Sequence, residues 1–285
     1  MGENSINGKT GQELTLLDQQ SLGMEILRDV HCFCKKKSIR YSVAYGTLIG
    51  VIRHHGFIPW DDDVDIIMPR PDYIRFCREY ESDSFNLICR EKDSTCMIAF
   101  ARVYDDTRTV CISKIPWTEK QVGFWIDIFP VDAVSDVYSE YNSAYFAQKT
   151  LWKRTILGRQ AKASFSCYRY SLLPTLKLLV KKILERGGKN VCKQISLLIE
   201  RAQLHNWGDT CHWAQMACLD GKPEKEYSPM SAFENCIEMD FHDVKVMVMA
   251  GYDDVLTRLY GDYLLPPPIQ SQIPHNNIFN KWYWK

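Results

Sequence analysis

Apolar residues recur at helical spacing between positions 12 and 37, at Leu14, Leu17, Leu22, Ile26, Val30 and Phe33, which predicts an amphipathic helix. Lys35, Lys36 and Lys37 fall in its last turn, where the helix dipole favours cations. The pattern shortens to a strand over 40–45. Gly46 permits a tight turn, Thr47 is placed to cap a short helix running LIGVIRHH, and Gly56 to end it. Alternation returns over 63–68 and predicts a strand, punctuated by Pro69 and Pro71 and followed by a helix over 72–80. Strands are expected over 85–90, 97–104, 108–113 and 124–129, the last closed by Pro130. From 138 to 206 the texture is helical; strands over 233–239 and 244–249, a helix over 252–260 and a Pro- and aromatic-rich tail follow. No segment repeats. Helix and strand alternate in the first half, so the chain is expected to be a mixed α/β structure rather than a bundle or a sandwich.

Composition narrows the classes. With 285 residues, 46% hydrophobic and 25% charged, the chain is long enough for a full core and too ordinary for disorder, collagen or a coiled coil. Lys+Arg and Asp+Glu both number 35, which disfavours a globally basic nucleic-acid binder. The balance conceals an asymmetry: twelve cations and one acid, Glu185, lie between Lys149 and Lys193. The segment is +11 and the remainder −11. Within it, Leu172, Leu173, Leu176, Leu179, Val180, Ile183 and Leu184 form a helical stripe, with Lys177, Lys181 and Lys182 mainly opposite. Two readings stay open: an ordinary core helix with a solvated face, or a surface for an anionic membrane.

The first twelve residues are polar and carry no apolar signal-peptide core. No run approaches the ~18 apolar residues that span a bilayer. Eleven cysteines occur without a CxxC; Cys211, His212 and Cys218 near His205 do not fill a four-ligand zinc site. Reduced thiols in a cytoplasmic protein are expected. The opening GENSINGKT is one residue too long between Gly2 and Gly8 for a phosphate-binding P-loop, and no strand precedes it.

The chemistry concentrates at Trp60-Asp61-Asp62-Asp63-Val64-Asp65. Strand alternation puts Asp63, Asp65 and Ile67 on one face and Val64, Ile66 and Met68 on the other. Adjacent carboxylates repel, and burying one unpaired costs several kcal/mol. A hard divalent cation resolves both problems, so Asp63 and Asp65 are candidate ligands, with Asp61, of the same parity, second to them. A solvated loop or helix cap is the competing account of the acid run. Asp127 stands alone in the apolar run FWIDIF, where it needs either an Arg partner or a metal. Arg53 can fork onto a phosphate. His54 and His55 are either site or loop-packing residues. Arg102 can neutralise developing charge.

YGTLIGVIRHHGFIPWDDDVDIIMPRPDY closely resembles the core motif of the LicD family, which includes bacterial phosphocholine transferases and is related to fukutin-type proteins. ARVYDDT (101–107), GFWIDIFPVD (123–132), LYGDY (259–263), Pro266-Pro267 and His275 resemble further family elements in family order. The resemblance implies an α+β, nucleotidyltransferase-like fold. A mixed sheet would be flanked by helices, in a single domain over 1–285 carrying a basic helical insertion over 138–206. It implies Gly46 and Thr47 as a phosphate-holding turn, with Arg53, His54 and His275 on the donor. Asp63, Asp65 and Asp127 would be catalytic and metal-binding with Arg102, and Mg²⁺ or Mn²⁺ the cofactor. The implied reaction moves phosphocholine, or a close phospho-alcohol, from CDP-choline or a similar CDP-alcohol to a glycan hydroxyl, releasing CMP. The implied acceptor is lipid-linked, at the cytoplasmic face of a membrane that 149–193 would touch, with no nucleic acid partner. Tyr45 stands where many relatives have a small residue, Arg102 where Lys is common, and Gln270 and Gln272 where basic residues are frequent. Competing functions are nucleotidylyl transfer, a D-x-D glycosyltransferase and a binding module with a degenerate site. The short stretch before D-x-D argues against the glycosyltransferase, and the presence of all three carboxylates against the degenerate module.

Overall fold

A computed structural model describes residues 10–163, 172–184, 190–274 and 280–285. The fold is α+β. Helix α1 (Leu16–Lys37) opens on a capping box in which Thr15 and Asp18 satisfy each other's amides, and closes at Ser38 in the left-handed region. Ile26, Leu27 and Val30 lie fully buried on its inner face. Burying side chains of this kind stabilises by roughly 1.5–3 kcal/mol each. Leu17, expected on that face, is 76% exposed; Leu14, just before the helix, is buried instead.

The sheet under α1 has seven strands among the described residues. Five run in the order β1 (Ser42–Val43), β2 (Asp65–Pro69), β6 (Phe124–Val134), β4 (Ala101–Asp105), β3 (Asn86–Ile88). β7 (His212–Ala214) pairs the far end of β6, and β8 (Ser228–Pro229) pairs β7. Only β2 and β6 run parallel. Between them passes α3 (Arg70–Glu79), fixed to β6 by a buried bidentate pair, Arg70 Nε to Asp132 Oδ1 at 2.6 Å and Nη2 to Oδ2 at 2.8 Å.

β6 does not stop at Pro130. The Asp127 amide donates to the Val64 carbonyl, so the even-numbered amides that follow face away from β2. The N–H that Pro130 lacks would therefore point to the side where β4 has ended opposite Ile128 and β7 begins opposite Asp132. No ladder bond is lost there, and the strand runs on.

The hairpin β9 (Cys236–Phe241) and β10 (Val244–Met249) packs beside β1, where the Met249 amide donates to Ser42 Oγ at 2.9 Å. The chain then returns through α8 (Tyr252–Tyr260). The tail gives β11 (Asn280–Trp284), antiparallel to β5 (Thr109–Ser113). The sequence pattern predicted β5 but not β11, β7 or β8. In the basic segment, α5 (Leu172–Leu184) and α6 (Val191–Ala202) each pack on α4 (Tyr138–Lys162), and α4 and α6 share two smaller clusters with residues outside the segment, among them Met97, Ala99, Val134 and Ala214. Of these helices, α5 corrects the expected arrangement. Lys181 bonds Gln160 Oε1 and Lys182 bonds the Ala161 carbonyl, so the lysine side, with Leu178, faces α4. The apolar side faces outward: Leu176, Leu179, Val180 and Ile183 are all exposed. No helix of the described residues is long and apolar enough to cross a membrane. The ten described cysteines are free.

Candidate active site

Strand register assembles the centre. Asp65 lies opposite Asp127 in the parallel pair, and Asp127 opposite Arg102 in the antiparallel one. Paired residues share a face, so Asp65, Asp127 and Arg102 form one row across three strands. The opposite face, with Val64, Ile66 and Ile128, is buried. Arg102 Nε donates to Asp127 Oδ1 at 2.6 Å. Its guanidinium is walled by Trp117 and Trp125, each 4.2 Å to the ring centroid, and by Phe100 at 5.3 Å. Asp127 thus has the Arg partner that its apolar surroundings called for.

The acid run enters the same place from the loop before β2. Asp61, Asp63 and Asp65 line one cleft of about 610 Å³, so the expected parity holds although the strand begins only at Asp65. Asp65 is pushed well above the usual carboxylate range by burial, then by the negative charges of Asp63, Asp127 and Asp61, with Arg102 opposing. Asp61 is raised to about 6 by burial and by Asp62. Asp61, Asp62 and Asp63 each bring one carboxylate oxygen within 4.8 Å of the others. This crowding of hard oxygen donors fits a divalent cation. Asp62, which strand alternation left out of the candidate ligands, belongs to that group.

Two expectations at the preceding turn are revised. Thr47 is no cap: it sits inside α2 (Tyr45–His54), and its Oγ1 accepts from the Asp65 amide at 2.9 Å, pinning the acid strand. Gly46 does not take the unusual backbone; Tyr45 does, at φ 50°. Gly46 matters for closeness, since a Cβ there would lie 2.6 Å from Asp61 Oδ2. At the other end of α2 the left-handed residue is His55, not Gly56.

Arg53 lines the cleft and donates to the Tyr263 carbonyl at 3.0 Å. This ties α2 to the opposite wall, where Tyr260 comes from the end of α8 and Asp262, Tyr263 and Pro267 from the chain after it. His54 is exposed and accepts from Arg53 Nε at 2.9 Å, so it supports Arg53 and is not among the cleft-lining residues. His275 lies outside the described residues.

The sequence pattern missed two groups. Arg159 of α4 is electrostatic neighbour to Arg102 and Asp127; burial, then Arg102, lowers its pKa to about 10. Glu226, in the short helix α7 (Pro223–Glu226), is raised to about 7 by burial, and Tyr45 and Tyr260 both sense its charge. Neither lies in a motif. The only available signal was a cation inside a helix whose apolar pattern is weak.

Comparison with known proteins points the same way as the acid row. The model of the LicD/FKTN/FKRP nucleotidyltransferase domain matches residues 38–172, which span the acid row. The lipopolysaccharide cholinephosphotransferase LicD of Haemophilus influenzae is 29% identical over 271 residues, 93% of this chain and 97% of that one. Residues 38–172 match a LicD-family domain. With the full-length similarity to a cholinephosphotransferase beside it, the chain is a transferase. Uncharacterized proteins of Rickettsia typhi (42% identical over 52 residues, 18% of this chain and 17% of that one) and Rickettsia prowazekii (33% over 88 residues, 27% and 31%) share shorter stretches.

Proposed function

We propose that this protein transfers phosphocholine from CDP-choline to a glycan hydroxyl, releasing CMP. The row Asp65–Asp127–Arg102 beside Asp61 and Asp63, in a chain that aligns along most of its length with a lipopolysaccharide cholinephosphotransferase, carries the reading. Asp63, Asp65 and Asp127 would hold Mg²⁺ or Mn²⁺, with Asp61 and Asp62 beside them, and the bound cation would supply charge neutralisation at the phosphoryl group. Arg102, held by Asp127 and three aromatic rings, keeps a fixed positive charge facing the same place. The acceptor oxygen attacks the phosphorus that bears choline, the bond to the CMP oxygen breaks, and the hydroxyl proton is lost. Positioning and electrostatics account for most of the rate in such transfers. Arg53 and the Tyr260–Pro267 segment close the donor side of the cleft.

The acceptor in this reading is lipid-linked and met at the membrane surface, with the protein bound peripherally to the cytoplasmic face. The exposed stripe Leu176, Leu179, Val180 and Ile183, set among cations of the insertion, supports that contact.

The test is a panel of CDP-alcohols (choline, ethanolamine, glycerol, ribitol) with Mg²⁺ and a glycan acceptor, following nucleotide release. CMP is expected from CDP-choline, and EDTA abolishes its release. CDP in place of CMP would move the cleaved bond and the class, and a nucleotide joined to the acceptor would favour nucleotidylyl transfer.

A further inference from the structure

The insertion and the acid row meet at one side chain. On α4, a Cβ at Gly158 would lie 2.4 Å from Val191 Cγ2, so α4 and α6 touch closely there. The next residue, Arg159, lies near Arg102 and Asp127. Arg159 Nε is out of solvent contact and has no hydrogen-bond partner. Across from it, Arg102 gives its Nε to Asp127 while its Nη1 is also buried and unpartnered. Nε of Arg159 and Nη1 of Arg102 are therefore two buried N–H donors without an acceptor. Leaving a buried donor unsatisfied costs about 1–3 kcal/mol, and each such group calls for an explanation, here a ligand that supplies the acceptor. Arg159 is still partly exposed, so a ligand can reach it.

The geometry points to Arg159 of the helical insertion, acting with Nη1 of Arg102 on the sheet, as the binding site for a phosphate oxyanion of the donor's diphosphate. This rests on the phosphotransfer reading for the identity of the ligand, but not for its charge. Guanidinium N–H groups meet phosphate oxygens in a planar fork, whereas an ammonium at the same place offers a point charge. Arg102 of the pair also stands beside Asp65, where the same reading places the transferred phosphoryl group.

Titration calorimetry with Arg159→Met and Arg159→Lys, using CDP-choline, inorganic pyrophosphate and cytidine in the presence of Mg²⁺, tests this. Arg159→Met should weaken CDP-choline and pyrophosphate about ten- to hundredfold and leave cytidine unchanged. Arg159→Lys should recover part of the loss, and KM for the donor should rise more than kcat falls. Thermal melting of both variants should match or exceed wild type, because a buried donor without an acceptor is removed. Undiminished pyrophosphate and CDP-choline binding in a folded Arg159→Met variant would overturn the assignment. So would an equal loss for cytidine, or weakening confined to a phosphate-bearing acceptor. If wild type binds pyrophosphate and Arg159→Met does not, yet no CDP-alcohol releases CMP, the anion site stands and the phosphocholine reading falls. If Arg159→Met does not fold, Arg159→Lys carries the same comparison.

Discussion

The acid row and helix α5 are both amphipathic, yet their sides were fixed by different means. In the sheet, each residue has one partner on each neighbouring strand, so once Asp65 pairs with Asp127 and Asp127 with Arg102 every other side chain is committed to a face. In α5 the period is equally plain, but nothing in the helix itself says which face will be covered. Lys181 and Lys182 bond α4, and Leu176, Leu179, Val180 and Ile183 are left outside. Register commits a surface locally. A helix commits one only through its neighbours.

The sharpest way to break the comparison is to neutralise the row without disturbing its register. Asp65→Asn and Asp63→Asn should each lower transfer on the order of a thousandfold, about 4 kcal/mol of barrier, with an unchanged circular dichroism spectrum. Wild-type turnover from a folded Asp65→Asn protein would show that the row is structural. Next in size is the pin behind it. Arg70→Met strands the Asp132 carboxylate in the core and should cost about 3–5 kcal/mol in urea unfolding, while the double variant Arg70→Met/Asp132→Leu recovers much of the loss. A loss under 1 kcal/mol would mean water replaces the arginine.

On the helical side, replacing Leu176, Leu179, Val180 and Ile183 together with Gln should reduce flotation with anionic vesicles about tenfold and leave the melting temperature level, since these side chains are already exposed. A large drop in melting temperature would show that the stripe is covered after all. Lys177→Gln should weaken only the salt-sensitive part, whereas Lys181→Gln acts on packing against α4.

The smallest effect concerns Glu226. Its pKa is raised in the fold to about 7 from an ordinary value of 4.5, so the folded state holds a proton that the unfolded chain has released. Its penalty is absent below the unfolded value and complete above pH 7, and stability falls as pH rises between them. Glu226→Gln should therefore match wild type near pH 4.5 and exceed it by about 1–2 kcal/mol at pH 8, a discounted figure because the group is partly open to solvent. Equal stability at both pH values would place its carboxylate in water.

What the chain disclosed follows the same division. The parity of Asp61, Asp63 and Asp65 and the isolation of Asp127 were legible because alternation is a short-range property. That Arg102 would be the partner of Asp127 needed the strand order. The role of Thr47 in holding the Asp65 amide was not legible, because a Thr near a helix start looks like a cap whichever way it turns. Pro130 looked like a terminator because its neighbours on the unpaired side were unknown. Arg159 was hidden among the eleven other cations between Lys149 and Lys193, distinguished only by what α6 lets α4 approach.

The last strand extends the consequences beyond equilibrium. Trp282 of β11 packs at 5.0 Å on Trp125, the ring beneath Arg102, and at 5.6 Å on Phe124. A ribosome delivers both acid strands and the arginine well before it delivers Trp282. During synthesis the basic side of the site therefore stands on an unfinished floor, and chain elongation itself sets the earliest moment at which the row can be held in place.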